Sequence, residues 1–162
     1  MTDAETARLT DSLTEMTDLL TPDETNDLDR ALGGVVIHWM DVCGVIAAMR
    51  CTGERCVTAA IDAVEFYAPI RVGEVVTVEG YVYDVGRRSI DAIVEVTAEA
   101  PTTGETRDVA VSFLTYVAID EDGRPTAVPE LVCETDAERE RREHALERRK
   151  QRLAELLAQL EE

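Results

Sequence analysis

One acidic residue, Asp41, lies in the middle of an otherwise apolar stretch, GGVVIHWMDVCGVIAAM, which runs from Gly33 to Met49. A carboxylate in apolar surroundings is costly to keep charged, and Asp is a poor residue for a helix interior because its side chain competes for local backbone hydrogen bonds. A carboxylate partly removed from water can act as a general base or a nucleophile. Asp41 is therefore our candidate catalytic residue. The alternative is that it pairs with a buried Arg or caps a neighbouring loop.

Two features of the same stretch extend this candidate site. His38 precedes Asp41 by three residues, so on a helix both side chains point to nearly the same face and form a possible dyad. The alternative is a His that is hydrogen-bonded at an interface. Gly33 and Gly34 lie about two turns upstream, and a helix that begins there offers free backbone N–H groups to an anion or a developing oxyanion.

A second candidate site is the segment VGRRS, residues 85–89, between two predicted strands. Gly86 supplies the turn, Arg87 and Arg88 supply positive charge, and Ser89 supplies a hydroxyl. On a chain of net charge −18, this local positive pair is suited to a phosphate-bearing ligand. The alternative is an ordinary hairpin tip.

The elements that must position these residues follow from hydrophobic spacing. The apolar run from 35 to 49 exceeds an ordinary strand of about five or six residues, so we predict a buried helix. Alternation with a period of two then predicts four successive strands in an antiparallel meander, at 57–67, 75–84, 89–99 and 109–119. The expected fold class is α+β: a long central helix wrapped by a curled antiparallel sheet. Such a sheet covers one side of the helix only, which predicts a second copy on the other side in a two-fold dimer.

The two ends of the chain are expected to add helices. Residues 1–20 carry Leu9, Leu13, Met16 and Leu20 at roughly helical spacing, which predicts an amphipathic helix before a central domain at 21–131. Residues 132–162 predict a charged helical extension in which Leu146, Leu153, Leu156 and Leu160 are spaced like core positions of a coiled coil, while Arg142 and Arg149 interrupt them. A solvated helix, an assembly helix or an anion-binding Arg cluster would each explain this tail.

Composition excludes several classes of partner. The chain carries 34 acidic against 16 basic residues, and Lys150 is its single Lys. Such a surface repels nucleic acid and anionic membranes, and it resembles the surfaces of proteins from salt-accumulating halophiles.

The acidic N-terminus is not a signal peptide, and the apolar run falls short of the ~18 residues of a membrane span. Cys51 and Cys56, with Cys43 and Cys133, match no zinc pattern, so we expect buried thiols in a reducing cytosol and no metal.

Three linked segments resemble one known family. TNDLDRALGGVVIHWMD resembles the TN…GG…WMD stretch of hotdog-fold acyl-CoA thioesterases, the YciA-like and cytosolic acyl-CoA hydrolase family. VTAAIDAVEFYAPIRVGE followed by VGRRS resembles its strand pair and its VGRTS turn, and FLTYVAIDEDGRPTAVPEL resembles its last strand. The resemblance runs from about Thr25 to Leu131.

This resemblance implies hydrolysis of an acyl-CoA thioester to a free acid and CoA, with no cofactor beyond the CoA of the substrate. It implies that Asp41 is the catalytic carboxylate and that Asn26 reaches it across a dimer interface. Gly34, with Gly33 beside it, would offer an amide to the thioester oxygen. The family also implies a homodimer as the minimal unit, assembling further to a tetramer or hexamer.

Gly86, Arg87 and Ser89 would contact the CoA phosphates by the same resemblance. Arg88 stands where the family has Thr, so it either adds a phosphate contact or faces solvent. Asp29 stands where the family usually has Gly, which bears on loop shape and acyl specificity.

Two other functions remain open from the sequence. One is a hotdog dimer that binds acyl-CoA without cleaving it and recruits a partner through its C-terminal helix. The other is a hotdog dehydratase or hydratase acting through His38 and Asp41, although the spacing does not resemble the His-containing patterns of those enzymes.

Overall fold

The computed structural model describes residues 5–161, which form two short N-terminal strands, a central helix, four long strands and a C-terminal helix. In chain order the elements are β1 (Thr6–Arg8), α1 (Leu9–Ser12), β2 (Thr14–Leu19), a 3₁₀ turn (Pro22–Glu24), α2 (Gly33–Thr52), β3 (Arg55–Phe66), β4 (Val75–Val85), β5 (Ser89–Glu99), β6 (Thr106–Ile119), β7 (Glu130–Val132) and α3 (Asp136–Leu160).

The main sheet has five antiparallel strands in the order β2-β4-β5-β6-β3, and α2 packs on one of its faces. The predicted central helix and antiparallel sheet are therefore confirmed. The predicted meander of four strands is wrong in one respect, because β3 pairs with β6 and not with β4. Only β4, β5 and β6 follow one another as neighbours. The sheet curls around α2, so the link from β3 to β4 crosses from one edge of the sheet to the strand next to the other edge, β2.

The helix α2 is the core of the fold. Val36, Met40, Cys43 and Ala47 are buried against the sheet, and Gly53, with a φ of 70°, ends the helix. By length and composition alone α2 also suffices to cross a membrane, because it continues beyond the apolar run that we expected to be too short. Its packing inside the curled sheet identifies it as a core helix instead.

The predicted N-terminal amphipathic helix is wrong within the described residues; residues 1–4 lie outside them. A strand, a single helical turn and a second strand occupy residues 6–19. β2 extends the main sheet by pairing with β4, from Thr14 opposite Gly80 to Leu19 opposite Val75. Tertiary pairing thus overrides the helical spacing of the leucines. Because β2 is an edge of the sheet, the predicted boundary at residue 20 divides no separate unit.

A buried carboxylate, Glu138, ties the N-terminal segment to α3. Glu138 is 1% exposed, and its two oxygens accept hydrogen bonds from Arg8, from the amide and hydroxyl of Thr10, and from Thr135 and the Glu134 amide. Hydrogen bonds from the Thr10 hydroxyl, the Thr135 amide and Arg8 hold the pKa of Glu138 far below its ordinary value. This network keeps the N-terminal turn in a conformation that a continuous helix would not allow.

The C-terminal helix is confirmed as a helix, and its first part lies on the outer face of the sheet. Arg142 donates to the Tyr83 carbonyl at 3.0 Å, and Arg149 pairs with Asp62 and lies over the Phe113 ring. The two arginines that interrupt the predicted leucine seam are thus among the residues that hold α3 to the sheet. Four leucines of α3 remain exposed: Leu146, Leu153, Leu157 and Leu160.

Candidate active site

The carboxylate of Asp41 lies half-buried on α2 and is held by hydroxyl groups from two strands. Thr58 on β3 donates to Oδ1 at 2.8 Å. The hydroxyl of Tyr116 on β6 lies 3.1 Å from Oδ1 and 3.1 Å from the backbone carbonyl of the same Asp41. Within residues 5–161 no Arg pairs with Asp41. The alternative of a neutralising buried ion pair is therefore wrong.

Sequence reasoning missed both hydroxyl partners. Both faces of β6 are buried: Val111 and Phe113 lie under α3, and the face carrying Leu114 and Tyr116 meets α2. An assignment of the register between β3 and β6 would have placed Tyr116 on the strand face that meets α2, and so beside the Asp41 carboxylate.

The predicted His38–Asp41 dyad is not formed. His38 is exposed, and no hydrogen bond joins it to Asp41 in the part of the chain that the structure describes. Spacing by three residues puts both side chains on one side of α2, but the Asp41 carboxylate turns toward the strands and its hydroxyl donors.

Asn26 occupies a tight loop before α2. Its side-chain oxygen accepts from the amides of Leu28 and Arg30, at 2.9 and 3.2 Å, so its NH₂ group is left to point away from the loop. Asp29 in this loop has a φ of 56°, the left-handed region that favours glycine. The loop shape that a family Gly would give is thus kept here by an Asp.

The start of α2 presents free amides. No hydrogen bond from the N–H groups of Gly33 or Gly34 occurs within residues 5–161, and the space beside Gly34 is open. Free N–H groups at a helix N-terminus favour an anion or a partial negative charge on oxygen. An open cavity of about 390 Å³ adjoins this end, and apolar side chains dominate its wall; its lining includes Asn26, Gly33, Val36, Phe66, Ile70 and Val109.

The structure therefore brings Asn26 and the glycine amides together, but it does not bring them to Asp41 of the same chain. Gly34 and Asp41 lie seven residues apart on one helix, which is a rise of roughly 10 Å. A reacting carbon needs its base and its oxyanion donor each within roughly 3 Å. One protomer consequently carries two half-sites rather than one complete site. The first half-site is Asp41 with Thr58, and the second is Asn26 with the glycine amides.

The predicted phosphate-binding turn joins β4 to β5. The amide of Gly86 donates to the carbonyl of Ser89 at 2.9 Å, and a Cβ at Gly86 would lie 2.5 Å from the Ser89 hydroxyl, so a side chain there would displace that hydroxyl. The backbone carbonyls of Arg87 and Arg88 accept from Val128 and Ala118. Both guanidinium groups are exposed and have no acidic partner within the described chain, in contrast to seven of the other arginines.

Metal-binding residues do not cluster in the region that the structure describes: no group of three His, Cys, Asp or Glu side chains is placed to hold an ion. Cys43 and Cys51 are buried, and burial raises the pKa of their thiols to about 12 and about 11. Neither thiol is therefore a nucleophile near neutral pH.

The amino-acid sequence of this chain is similar to those of known acyl-CoA thioester hydrolases. The sequence profile of the thioesterase superfamily matches residues 30–105. The uncharacterized acyl-CoA thioester hydrolase YkhA of Bacillus subtilis is 39% identical over 117 residues, which cover 72% of this chain and 68% of that protein. The cytosolic acyl coenzyme A thioester hydrolase of Rattus norvegicus is 37% identical over 112 residues; the match spans 67% of this chain and only 29% of the rat protein.

Solved structures of acyl-CoA hydrolases also superpose closely on this chain. A hexameric acyl-CoA thioesterase superposes with a TM-score of 0.83 at 34% identity and covers 94% of this chain and 97% of its own. The acyl-CoA hydrolase of Staphylococcus aureus, solved with butyryl coenzyme A and coenzyme A, superposes with a TM-score of 0.80 at 29% identity, covering 96% and 97%. Variants of that protein replace an Asn, an Asp and a Thr by Ala, and these three positions are spaced as Asn26, Asp41 and Thr58 are spaced here.

Proposed function

This chain belongs to the thioesterase superfamily, among the hotdog-fold acyl-CoA thioester hydrolases, and on that premise we propose that it hydrolyses acyl-CoA thioesters to a carboxylic acid and CoA. The observation that carries the proposal is the Asp41 carboxylate. Within residues 5–161, one of its oxygens accepts hydrogen bonds and the other accepts none, and the helix begins with two amides that donate to no group of the described chain. We place the reaction in the cytosol and in the metabolism of fatty acyl groups.

In the proposed reaction, Asp41 removes a proton from a water molecule that attacks the thioester carbonyl carbon, or its free oxygen attacks that carbon directly. The carbonyl oxygen gains negative charge and is stabilised by the Gly34 amide and the Asn26 NH₂ group. The carbon–sulfur bond then breaks. In the general-base route the departing CoA sulfur takes up the proton that Asp41 removed from water. In the direct route the sulfur takes a proton from solvent, and a water molecule then hydrolyses the acyl–Asp41 anhydride, which releases the acid and restores the carboxylate.

Two copies of the chain are needed to complete this site. The half-sites of one protomer lie too far apart to act on one carbon, so Asp41 and Thr58 of one protomer would face Asn26 and Gly34 of the other. The surface for such a dimer is open: Met49 on α2 and Val57, Ile61 and Phe66 on β3 are large apolar residues with 37–50% exposure. β3 is also an edge strand of the sheet, and an exposed apolar edge strand readily pairs with another strand. Further assembly to a tetramer or hexamer would follow from such dimers.

The substrate is proposed to lie between the cavity and the arginine turn. The cavity beside Gly33 is lined mainly by apolar side chains and suits an acyl chain. Arg87, Arg88 and Ser89, with Gly86 shaping the turn, suit the phosphates of CoA. CoA enters as part of the substrate, and no other cofactor takes part in the proposed reaction.

The net charge of −18 supports work in high salt. Repulsion among the 34 carboxylates opposes assembly at low ionic strength. Salt weakens this repulsion, because charges farther apart than about 10 Å are largely screened at 0.1 M salt, and this distance becomes shorter at higher concentration. We therefore propose a salt-accumulating host and expect the dimer and its activity to be lost at low salt.

Thiol release from acyl-CoA, followed with a thiol reagent in high salt, tests the function. Continuous release of CoA supports hydrolysis. Tight acyl-CoA binding without free thiol would instead show a binding module, and loss of enoyl-CoA absorbance without thiol release would show a hydratase. Either result would refute the proposed reaction.

A further inference from the structure

One buried polar group has no part in the reaction as written above. Tyr116 is fully buried, yet its hydroxyl approaches both the side chain and the backbone carbonyl of Asp41, at 3.1 Å each. A buried hydroxyl has one proton to donate, so it is shared between these two acceptors. Both acceptors belong to the proposed catalytic residue.

The helix is shaped to admit this hydroxyl. Gly44 lies one turn after Asp41, and a Cβ at Gly44 would clash with the Tyr116 hydroxyl and lie 3.0 Å from the ring carbon that carries it. Gly costs about 1 kcal/mol relative to Ala in a helix interior. The pairing of a helix-weakening Gly with a buried Tyr hydroxyl indicates that this contact has a role beyond filling space.

We propose that Tyr116 is a positioning residue for Asp41: together with Thr58 it occupies Oδ1 and so fixes Oδ2 as the oxygen that meets water or the thioester. This inference rests on the proposed function, because it assigns a role within that reaction. The two hydroxyls approach Oδ1 from different strands, β3 and β6. Rotation of the carboxylate would therefore break hydrogen bonds to both strands at once.

The charges around Tyr116 are compatible with this role. The titratable groups that face it are Asp41 and Cys43 from α2 and Cys56 from β3. Burial, and next the charge of Asp41, raise the pKa of Tyr116 far above its ordinary value, so the hydroxyl keeps its proton. Burial also raises the pKa of both thiols.

Tyr116→Phe removes the hydroxyl and keeps the ring. A hydrogen bond to a carboxylate favours its charged form, so its loss should move the acidic limb of the kcat/KM profile to higher pH. We also expect kcat to fall by about tenfold with little change in KM. Thr58→Val, which removes the other donor to Oδ1, should move the limb in the same direction.

Three controls make this result specific. Tyr81→Phe removes another buried hydroxyl, which donates to the Arg141 carbonyl at 2.7 Å on the opposite face of the sheet, and it should leave the pH profile in place. His38→Gln removes the imidazole one turn before Asp41, and the acidic limb should persist. Gly44→Ala, which excludes the hydroxyl sterically, should reproduce the effect of Tyr116→Phe.

An unshifted pH profile in a folded Tyr116→Phe variant that releases thiol would overturn the role of Tyr116 and leave the hydrolase function intact. Loss of the limb in His38→Gln would also overturn it, since the limb would then belong to His38. A parent chain that releases no thiol would instead contradict the proposed function itself.

Discussion

The hydroxyl of Thr58 donates to Oδ1 of Asp41 at 2.8 Å and so joins the edge strand β3 to the central helix α2. The same strand carries Val57 and Ile61, which are exposed in a single protomer. The carboxylate is thus anchored to the surface through which we propose that two protomers meet. Loss of the dimer should therefore disturb the catalytic residue as well as remove the partner's half-site.

Replacement of Asp41 by Asn should reduce kcat by at least about 100-fold, on the scale of losing a general base. Asn keeps the size of the side chain and an oxygen that accepts from Thr58, so the fold should survive. Thiol release measures the rate, and circular dichroism with thermal unfolding checks the fold. Equal rates for the folded variant and the parent would remove Asp41 from the mechanism.

Hybrid dimers should reveal whether the site is composite. Asp41→Asn and Asn26→Ala chains are each expected to be inactive as homodimers. When equal amounts are unfolded together and refolded, one site in each hybrid dimer combines an intact Asp41 with an intact Asn26 of the other chain. Activity should return to about a quarter of the parent value, from random pairing in a two-fold dimer. The control is the same procedure on each variant alone, and a mixture that stays inactive would mean that the site lies within one chain.

The sequence indicated the candidate residues more readily than the groups around them. Asp41 stood out because a lone carboxylate in an apolar run violates local propensity, and the arginine turn stood out because its charge opposes that of the chain. The roles of both stay predictions. Tyr116 and Thr58 were missed because hydroxyl residues in strands are common, and only the register of β3 and β6 brings these two to Asp41.

The fold was predicted correctly where hydrophobic periodicity determines the local structure. It was predicted wrongly where pairing between distant strands determines it. The central helix and the strand segments follow from local spacing, whereas the position of β3 beside β6 depends on how the sheet curls. Residues 6–19 were misassigned for a similar reason: pairing with β4 and the hydrogen bonds of Glu138 stabilise strands that the leucine spacing alone does not indicate.

Removal of the two arginines of the turn, Arg87 and Arg88, should weaken substrate binding and leave the chemistry intact. We expect Arg87→Ala with Arg88→Ala to raise KM by about tenfold, on the scale of a charge-assisted hydrogen bond at an exposed site, with kcat nearly unchanged. Lys150→Ala removes one exposed positive charge on α3 and should leave KM unchanged. Substrates that lack the 3′-phosphate of CoA should narrow the gap between parent and variant. An unchanged KM in the double variant would place the phosphates elsewhere.

A smaller cavity should shift acyl-chain preference. Ala68 lines the cavity beside Gly33 and is partly buried, so Ala68→Leu should narrow it. The kcat/KM for decanoyl-CoA should fall relative to that for butyryl-CoA by about tenfold or more, because each lost methylene contact is worth roughly 1–3 kcal/mol. Ala154→Leu, on an exposed face of α3, is the matched control. A constant ratio would show that the acyl chain lies outside this cavity.

Glu138 should make folding stability depend on acid pH. The pKa of Glu138 is held far below its ordinary value in the folded chain. Its contribution to the free energy of unfolding is therefore complete above the pKa of about 4.3 that an unfolded Glu has, and this contribution is lost as the pH falls below that value. Glu138→Gln removes the charge and turns an NH₂ group toward either the Thr10 donors at Oε1 or the Thr135 donors at Oε2. The free energy of unfolding in urea should be lower for the variant at pH 7, and the difference should shrink as pH falls below 4. Glu134→Gln, at an exposed Arg8 pair, should have little effect at either pH. A difference that stays constant from pH 7 to pH 3.5 would show that packing, not ionisation, makes Glu138 stabilising.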